Sequence, residues 1–191
     1  QQFPEILVSI ILEYLPLSLT DKSIYNAVQD YITQNEKKKQ KIIETYGKIS
    51  NWDVSNVINM ARLFHTTDYN RDFDHDYTTD FNEDISDWNV SNVINMEDMF
   101  YGAIHFNQPL NNWDVSNVTK MTGMFGNAYC FNQPLNNWDV SKVITMNGIF
   151  CYAENFNQPL DNWNVSSVTS MTEMFVYAES FNQSLNNWDV S

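Results

Sequence analysis

The sequence predicts an α/β repeat protein: a single solenoid of short parallel strands and short helices, preceded by an α-helical N-terminal cap. The ten residues FNQPLNNWDV occur at 106–115 and again at 131–140, and near copies occur at 156–165 and 181–190. Within the repeat, the hydrophobic spacing changes from the period of a strand to that of a helix. A fixed repeat period of this size is typical of solenoid proteins.

Tryptophan marks the repeat and sets the division of the chain. The repeated tryptophans are Trp52, Trp88, Trp113, Trp138, Trp163 and Trp188. The last four intervals are 25 residues and the first is 36, so the first carries an eleven-residue acidic insertion between residues 64 and 81. We therefore divide the chain into a helical N-terminal cap at 1–50 and an array of about five to six repeats at 51–191.

Each repeat is predicted to begin with a strand. In the segment WDVS, apolar and polar residues alternate, so Trp113 and Val115 should point inward while Asp114 and Ser116 face solvent. Strands of successive repeats would then pair in parallel, about 4.8 Å apart.

A short helix is predicted to follow the strand. Ser116 is a favoured N-cap residue. The apolar residues after it, at helical spacing, are Val118, Met121, Met124, Phe125 and Ala128. Phe131 then returns to the core, and Pro134 marks a turn before the next strand.

The asparagine after that phenylalanine recurs in every repeat. These residues are Asn82, Asn107, Asn132, Asn157 and Asn182. A side-chain amide at this point can bond the backbone groups that a turn leaves unpaired. We therefore predict a ladder of asparagines that runs along the stacked repeats.

Residues 4–47 are predicted to form helices that cover the first repeat. One helix lies in KSIYNAVQDYI at 22–32, with Thr20 or Asp21 as its cap. Its apolar face would hold Ile24, Ala27, Val28 and Tyr31. A second helix, in NEKKKQKIIETYG, ends at Gly47. A repeat array needs such a cover because its first unit would otherwise expose its core.

Charge is distributed unevenly along the chain. Residues 1–50 balance six acids with six lysines, whereas residues 51–191 contain eighteen acids and four basic residues and carry the whole net charge of −14. Such a surface repels phosphate groups, so we expect no nucleic acid and no anionic membrane among the partners. No run is long and apolar enough to predict a membrane span.

Acidic residues in the insertion have the spacing of a calcium-binding loop. In DFDHDYTTDFNE at 72–83, side-chain oxygens occupy the ligand positions of an EF-hand loop. The predicted calcium ligands are Asp72, Asp74, Asp76, Thr78, Asp80 and Glu83. Tyr77 stands where an EF-hand has glycine, and Phe81 belongs to the repeat core, so a solvated acidic loop is the competing interpretation.

No other pattern predicts catalysis or a cofactor. The position after each tryptophan is Asp or Asn, and we interpret this column as a polar strand face with some affinity for cations. His105 and Cys130 each lie seventeen residues after a tryptophan and should be neighbours on adjacent repeats. The same column holds Asn155 and Ser180, with no third group to orient a nucleophile, so we assign no catalytic residue.

The repeat is similar to the BspA-type leucine-rich repeat, in the 25-residue form found in mycoplasma lipoproteins and in some proteins of protists and large DNA viruses. The motifs W-D-V-S-x-V, M-F-x-x-A and F-N-Q carry this resemblance over residues 51–191. The resemblance implies a leucine-rich-repeat-like solenoid and roles in surface attachment or protein interaction.

A second resemblance covers the N-terminus. The segment FPEILVSIILEYLP at 3–16 is similar to the first helix of an F-box, the motif that docks substrate receptors onto the Skp-like adaptor of cullin ubiquitin ligases. The matching apolar residues and prolines are Phe3, Pro4, Ile6, Leu7, Ile10, Ile11, Leu15 and Pro16. The resemblance implies binding of that adaptor; an amphipathic cap helix is the competing interpretation.

These patterns predict a non-enzymatic scaffold that binds an unidentified protein partner. Recognition would use variable positions such as Tyr101 or Lys142, or the acidic strand face. The alternatives are an F-box-type ubiquitin-ligase substrate adaptor and a secreted or surface adhesin. We expect an intracellular, cytoplasmic location, with the cell surface as the alternative if a signal has been trimmed. The uncovered last coil also predicts further repeats or a homodimer through the C-terminal coil.

Overall fold

Two short helices precede a long array of turns in the computed structural model, which describes residues 17–66 and 81–190. Helix α1 spans Ile24–Ile32, helix α2 spans Glu36–Tyr46, and a single 3₁₀ turn follows at Ile49–Asn51. Both helices lie in segments for which helices were predicted. The F-box-like segment at 3–16 falls outside the described residues, so its adaptor-binding role stays a prediction.

Helix α1 buries one face and is bonded to the array at its start. Its buried residues are Ile24, Ala27, Val28 and Tyr31, the face that the sequence predicts. The helix begins after Ser23, so the prediction that Thr20 or Asp21 caps it is wrong. The Asp21 carboxylate instead accepts the backbone N–H groups of Ile58 and Asn59 at 2.8 and 3.1 Å. Asp21 therefore satisfies donors at the edge of the first repeat.

Helix α2 has clear signals at both ends. The Asn35 side chain accepts the Lys38 backbone N–H at 3.3 Å at its start. Gly47 ends the helix with φ of +79°, and its N–H donates to the Ile43 carbonyl. A left-handed residue at this point favours glycine, which has no Cβ to clash with the backbone.

The predicted α/β solenoid of strands and helices is wrong. Within 52–66 and 81–190 the structure contains no helix and no strand, and successive repeats are joined in parallel by isolated single-residue bridges. The bridged residues are Asn59, Asn95, Lys120, Thr145 and Ser170. They lie seven residues after each tryptophan of their repeat and not in WDVS, where the strand was predicted. We call each such turn-built repeat a coil.

Consecutive β-turns replace the predicted helix. In one coil, the N–H groups of Met124 and Gly126 donate three residues back, to the carbonyls of Met121 and Gly123. The alternate N–H groups donate to the next coil, as Met121 does to Thr145 at 3.0 Å. An α-helix would use all of these donors internally. Turns of this kind produce the same three- and four-residue apolar spacing as a helix.

The predicted strand is replaced by a turn at the serine. Trp113 and Val115 are buried and Asp114 is exposed, as predicted, whereas Ser116 is half-buried. However, the Ser116 N–H donates to Asp114 Oδ1 at 3.1 Å, and the Val118 N–H donates to the Val115 carbonyl at 2.9 Å. The chain therefore bends before a strand can extend.

Stacked aromatic rings fill the core of the array. Phe125 lies between Phe100 and Phe150, with ring centroids 5.6 and 5.8 Å apart and nearly parallel planes. Within the same coil, Phe125 stacks on Phe131 at 4.0 Å. Ala128, also fully buried, leaves room for this close packing. Two columns of phenyl rings thus run side by side through the coils, with large apolar areas removed from water.

The tryptophans add a third column and a hydrogen bond in each coil. Trp138 and Trp163 stack at 6.4 Å with an interplanar angle of 2°. The Trp138 indole N–H donates to the Leu110 carbonyl of the preceding coil at 2.9 Å, and Trp163 donates to Leu135 in the same way. A buried indole donor thereby finds the acceptor that it needs.

The predicted asparagine ladder is confirmed. Asn107 Oδ1 accepts the backbone N–H of Asn132, and Asn132 Oδ1 accepts that of Asn157, each at 2.9 Å. Asn132 Oδ1 also accepts the side-chain amide of Gln158 at 3.0 Å. The ladder fixes the turn that follows each phenylalanine.

The N-terminal helices pack on the first coil. The Tyr31 ring lies edge-on to Trp52 at 5.4 Å, and the Trp52 indole N–H donates to the Gly47 carbonyl at 3.1 Å. The Tyr25 hydroxyl donates to the Ala61 carbonyl at 2.7 Å. These contacts cover the first tryptophan of the array.

Candidate interaction surface

An open groove crosses the first three coils. Its volume is about 440 Å³. The lining residues are Ser55, Asn56, Ile58, Asn92, Ile94, Asn117 and Thr119. We call it the isoleucine groove, because a repeated exposed isoleucine forms its apolar part.

The groove floor follows from the backbone register of the coils. The N–H of Ile94 donates to the Ile58 carbonyl at 2.8 Å, and the Thr119 N–H donates to the Ile94 carbonyl at 2.9 Å. Ile144 donates to Thr119 in turn. The valine before each of these residues is buried, whereas the isoleucines of the column are exposed, so the column lies on the outside of the coils. The column therefore presents its side chains from a hydrogen-bonded, fixed backbone.

The isoleucines in this column are not core residues. Ile58, Ile94 and Ile144 are 48%, 45% and 47% exposed. Threonine stands at the same position in two other coils, as Thr119 and Thr169. The packing of the array does not require isoleucine here, so the apolar side chains are a property of the surface and not of the core.

Amide groups at fixed positions border the isoleucine groove. The Asn92 side chain donates to the Ser55 carbonyl at 2.8 Å, and Asn117 donates to Ser91 at the same distance. The ammonium group of Lys142 donates to Asn117 Oδ1 at 2.8 Å. Lys142, one of the residues predicted for recognition, thus bonds the rim of the groove.

The predicted recognition residue Tyr101 lies elsewhere. Its side chain is half-buried, and its ring lies 5.3 Å from that of His65. Gly126 leaves space for the Tyr101 ring, since a Cβ on that glycine would come within 2.6 Å of it.

The aspartate column after each tryptophan forms turns rather than a strand face. Asp114 and Asp139 each accept the backbone N–H of the serine two residues later, at 3.1 and 3.0 Å. Hydrogen bonds from Ser116 and Ser141 hold the pKa of these two carboxyl groups below its usual range. The same turn is made by asparagine in other coils, as at Asn89. The predicted polar strand face is therefore a column of turns.

The structure describes only one of the six predicted calcium ligands. Asp72, Asp74, Asp76, Thr78 and Asp80 lie outside the described residues. Glu83 is described, and its Oε2 accepts the Tyr31 hydroxyl at 2.9 Å. Burial, followed by this hydrogen bond, raises the pKa of Tyr31 to about 12. The structure thus gives Glu83 a role in fastening helix α1, and calcium binding stays a prediction.

Residues with nucleophilic or metal-binding side chains are scattered over the described coils. The Cys130 N–H donates to the Ile104 carbonyl at 3.0 Å, so Cys130 and His105 do lie on adjacent coils. Cys130 and Cys151 are free thiols, and burial raises the pKa of Cys151. Across 17–66 and 81–190, no group of three or more His, Cys, Asp or Glu residues could hold a metal ion.

Sequence reasoning missed the isoleucine groove. The signal was the residue after the second valine of each repeat, which is Ile, Ile, Thr, Ile and Thr in successive coils. An isoleucine that alternates with threonine at one position of the repeat marks a site where the core does not require an apolar side chain.

No helix in the described part of the chain is long and apolar enough to cross a membrane.

Comparison with curated proteins and with solved structures found no significant similarity. A family model matches residues 44–150 and again 111–191, which together cover more than half of the chain. The chain belongs to the family described as "Mycoplasma protein of unknown function, DUF285".

Proposed function

We propose that the protein is a non-enzymatic scaffold that binds a protein partner through the isoleucine groove. The observation that carries this proposal is the set of isoleucines at 45–48% exposure in equivalent positions of three coils. Ile58 and Ile94 line the groove, and Ile144 continues the same column on the fourth coil. Apolar side chains repeated on a surface favour protein contact, because burying them removes apolar area from water. The threonines at 119 and 169 indicate that the coils do not need isoleucine for their own packing.

The rigid backbone of the groove supports the same role. Each column residue is bonded to the next coil through its main chain, so little conformational entropy is lost on binding. The bordering Asn92 and Asn117 amides supply polar groups at defined positions beside the apolar strip. Interfaces of this composition combine apolar burial with a polar rim.

The relationship to BspA-type repeats is part of this proposal. The motifs W-D-V-S-x-V, M-F-x-x-A and F-N-Q support it, and the resemblance is to proteins with roles in attachment or protein interaction. We also propose an intracellular, cytoplasmic location, which the free thiols of Cys130 and Cys151 support. Recovery of the native protein only from the cell surface or the medium would overturn that location.

The test compares partners captured by the wild type and by the triple variant I58T/I94T/I144T. Threonine already stands in this column, so the variant should fold with an unchanged melting temperature. We expect quantitative affinity capture from native cells to show loss of the wild-type partners. Leu17→Thr, which replaces an exposed apolar residue outside both the groove and the Tyr152–Tyr177 pair, serves as the matched control. If the triple variant captures the same proteins in the same amounts, the groove is not the binding surface.

A further inference from the structure

Two tyrosines occupy backbone positions that are unfavourable for them. The fourteenth residue after the tryptophan has positive φ in four successive coils: +74° at Gly102, +55° at Asn127, +58° at Tyr152 and +56° at Tyr177. Glycine and asparagine tolerate this left-handed conformation, whereas a bulky side chain is strained there. The chain uses the tolerant residues in two coils and tyrosine in the next two.

Core packing does not account for the tyrosines. Tyr152 and Tyr177 are 38% and 60% exposed, and their rings stack on each other at 4.6 Å with an interplanar angle of 26°. The neighbouring Val176 is 37% exposed. The backbone beneath the pair is fixed, since the Tyr152 N–H donates to the Val176 carbonyl at 2.7 Å. The strained backbone thus holds two aromatic faces at the surface.

The surroundings of the tyrosine pair are acidic. Glu154 and Glu179 stand two residues after Tyr152 and Tyr177. The Ser180 N–H donates to the Glu154 backbone carbonyl and so links the two coils. Glu173 is exposed, and its charge adds, after desolvation of the Tyr152 hydroxyl, to the raised pKa of Tyr152. Residues 143–191 contain no lysine and no arginine, so this part of the chain supplies no cation to the rings. By contrast, Tyr31 has the ammonium group of Lys39 5.0 Å from its ring centroid.

We propose that the Tyr152–Tyr177 pair binds an arginine-rich segment of a partner protein. A guanidinium group stacks on aromatic faces and is attracted by the ring electrons. The net charge of −14, all of it in residues 51–191, complements a basic partner and speeds its association. The inference rests on the proposed role in protein binding, and it assigns a partner chemistry to a surface that shares no residue with the isoleucine groove.

The test measures binding of a fluorescently labelled peptide of nine arginines by anisotropy, at about 150 mM salt so that long-range attraction is screened. The variant Y152N/Y177N is compared with the wild type. It keeps the net charge, and asparagine already adopts this conformation at Asn127, so only the aromatic faces are lost. We expect the peptide to bind the variant about tenfold more weakly, and a peptide of nine lysines to bind the wild type more weakly than nine arginines.

Two results would overturn the proposal: no measurable binding of the arginine peptide to wild type, or equal binding to Y152N/Y177N. Should the double variant fail to fold, Tyr177→Asn alone decides the matter, because this ring is the more exposed one. The variant I58T/I94T/I144T should bind the peptide as the wild type does. Failure of the groove proposal and failure of this one are therefore distinguishable.

Discussion

The side-chain oxygen of Asn107 accepts the backbone N–H of Asn132 at 2.9 Å, one coil further along the array. Asn132 repeats the contact with Asn157 and also accepts the side-chain amide of Gln158. Because the ladder links each coil to the next, removal of one side chain breaks bonds on the neighbouring coil.

Asn132→Ala should therefore lower the free energy of unfolding by about 1–3 kcal/mol, because it leaves the Asn157 N–H and the Gln158 amide without their acceptor. Urea unfolding followed by tryptophan fluorescence measures the loss. Asn132→Asp retains an acceptor of the same size and should lose less than half as much. Equal unfolding midpoints for wild type and Asn132→Ala would show that the ladder contributes nothing.

Trp138→Phe tests the indole hydrogen bond. The Trp138 side chain is buried and donates to the Leu110 carbonyl, so phenylalanine leaves a buried acceptor unpaired and a smaller ring in the site. We expect a loss of about 2–4 kcal/mol in the free energy of unfolding. The matched control is Trp188→Phe, which removes the same bond, to Leu160, at a half-buried position. If both substitutions lower the free energy of unfolding equally, the loss does not depend on how deeply the tryptophan is buried.

Stability should fall in acid through the aspartate turns. The pKa of Asp114 and of Asp139 is lowered in the folded state from an ordinary value of 3.8. Their contribution to stability is therefore present above pH 3.8 and is lost as the pH falls through the lowered folded-state pKa values. D114N/D139N keeps the turn, as Asn89 does, and removes the titration.

The measurement for this prediction is the unfolding midpoint of both proteins between pH 7 and pH 2. We expect the wild type to lose more stability than the variant below about pH 4. Since all other carboxyl groups are shared, the difference between the two curves isolates the two aspartates. Parallel curves would show that these hydrogen bonds do not favour the charged carboxylates.

Two glycines with positive φ should respond differently to alanine. Gly102 has φ of +74°, and a Cβ there would lie 2.9 Å from the Thr66 backbone carbonyl oxygen. Gly148 has φ of +57°, but its Cβ would meet only Cys151, at 3.5 Å. Gly148→Ala should cost about 1–2 kcal/mol from backbone strain, and Gly102→Ala considerably more. Thermal unfolding of the two variants ranks them, and the reverse order would refute the close approach at Thr66.

Sequence patterns identified the inward-facing residues but not the backbone that carries them. Trp113 and Val115 point inward and the asparagines form a ladder, as predicted, because both follow from polarity at a fixed period. The α/β prediction failed because apolar spacing of three and four residues fits a series of β-turns as well as a helix. The signals against a helix were Gly123 and Asn127, which adopt positive φ and direct alternate N–H groups to the next coil.

The binding surfaces were predicted less well than the core. Tyr101 and Lys142 were chosen because they vary between repeats, yet Lys142 bonds the rim of the groove and Tyr101 is half-buried. The isoleucine column was assigned no role, since hydrophobicity alone does not separate a core residue from its exposed neighbour. The bridged residues Asn95 and Thr145 directly follow Ile94 and Ile144. This register, which the sequence does not reveal, determines which side chain points outward.

The alternate hydrogen bonding of the coils has an evolutionary consequence. Each internal coil offers N–H groups, such as those of Met121 and Phe125, on one side and the matching carbonyls on the other. A unit copied in frame would therefore meet the same bonding edge before and after itself, and the phenyl columns would continue through it. The identical segments at 106–115 and 131–140 are what such duplication leaves behind. A lineage could lengthen or shorten its binding surface by whole units without evolving a new interior.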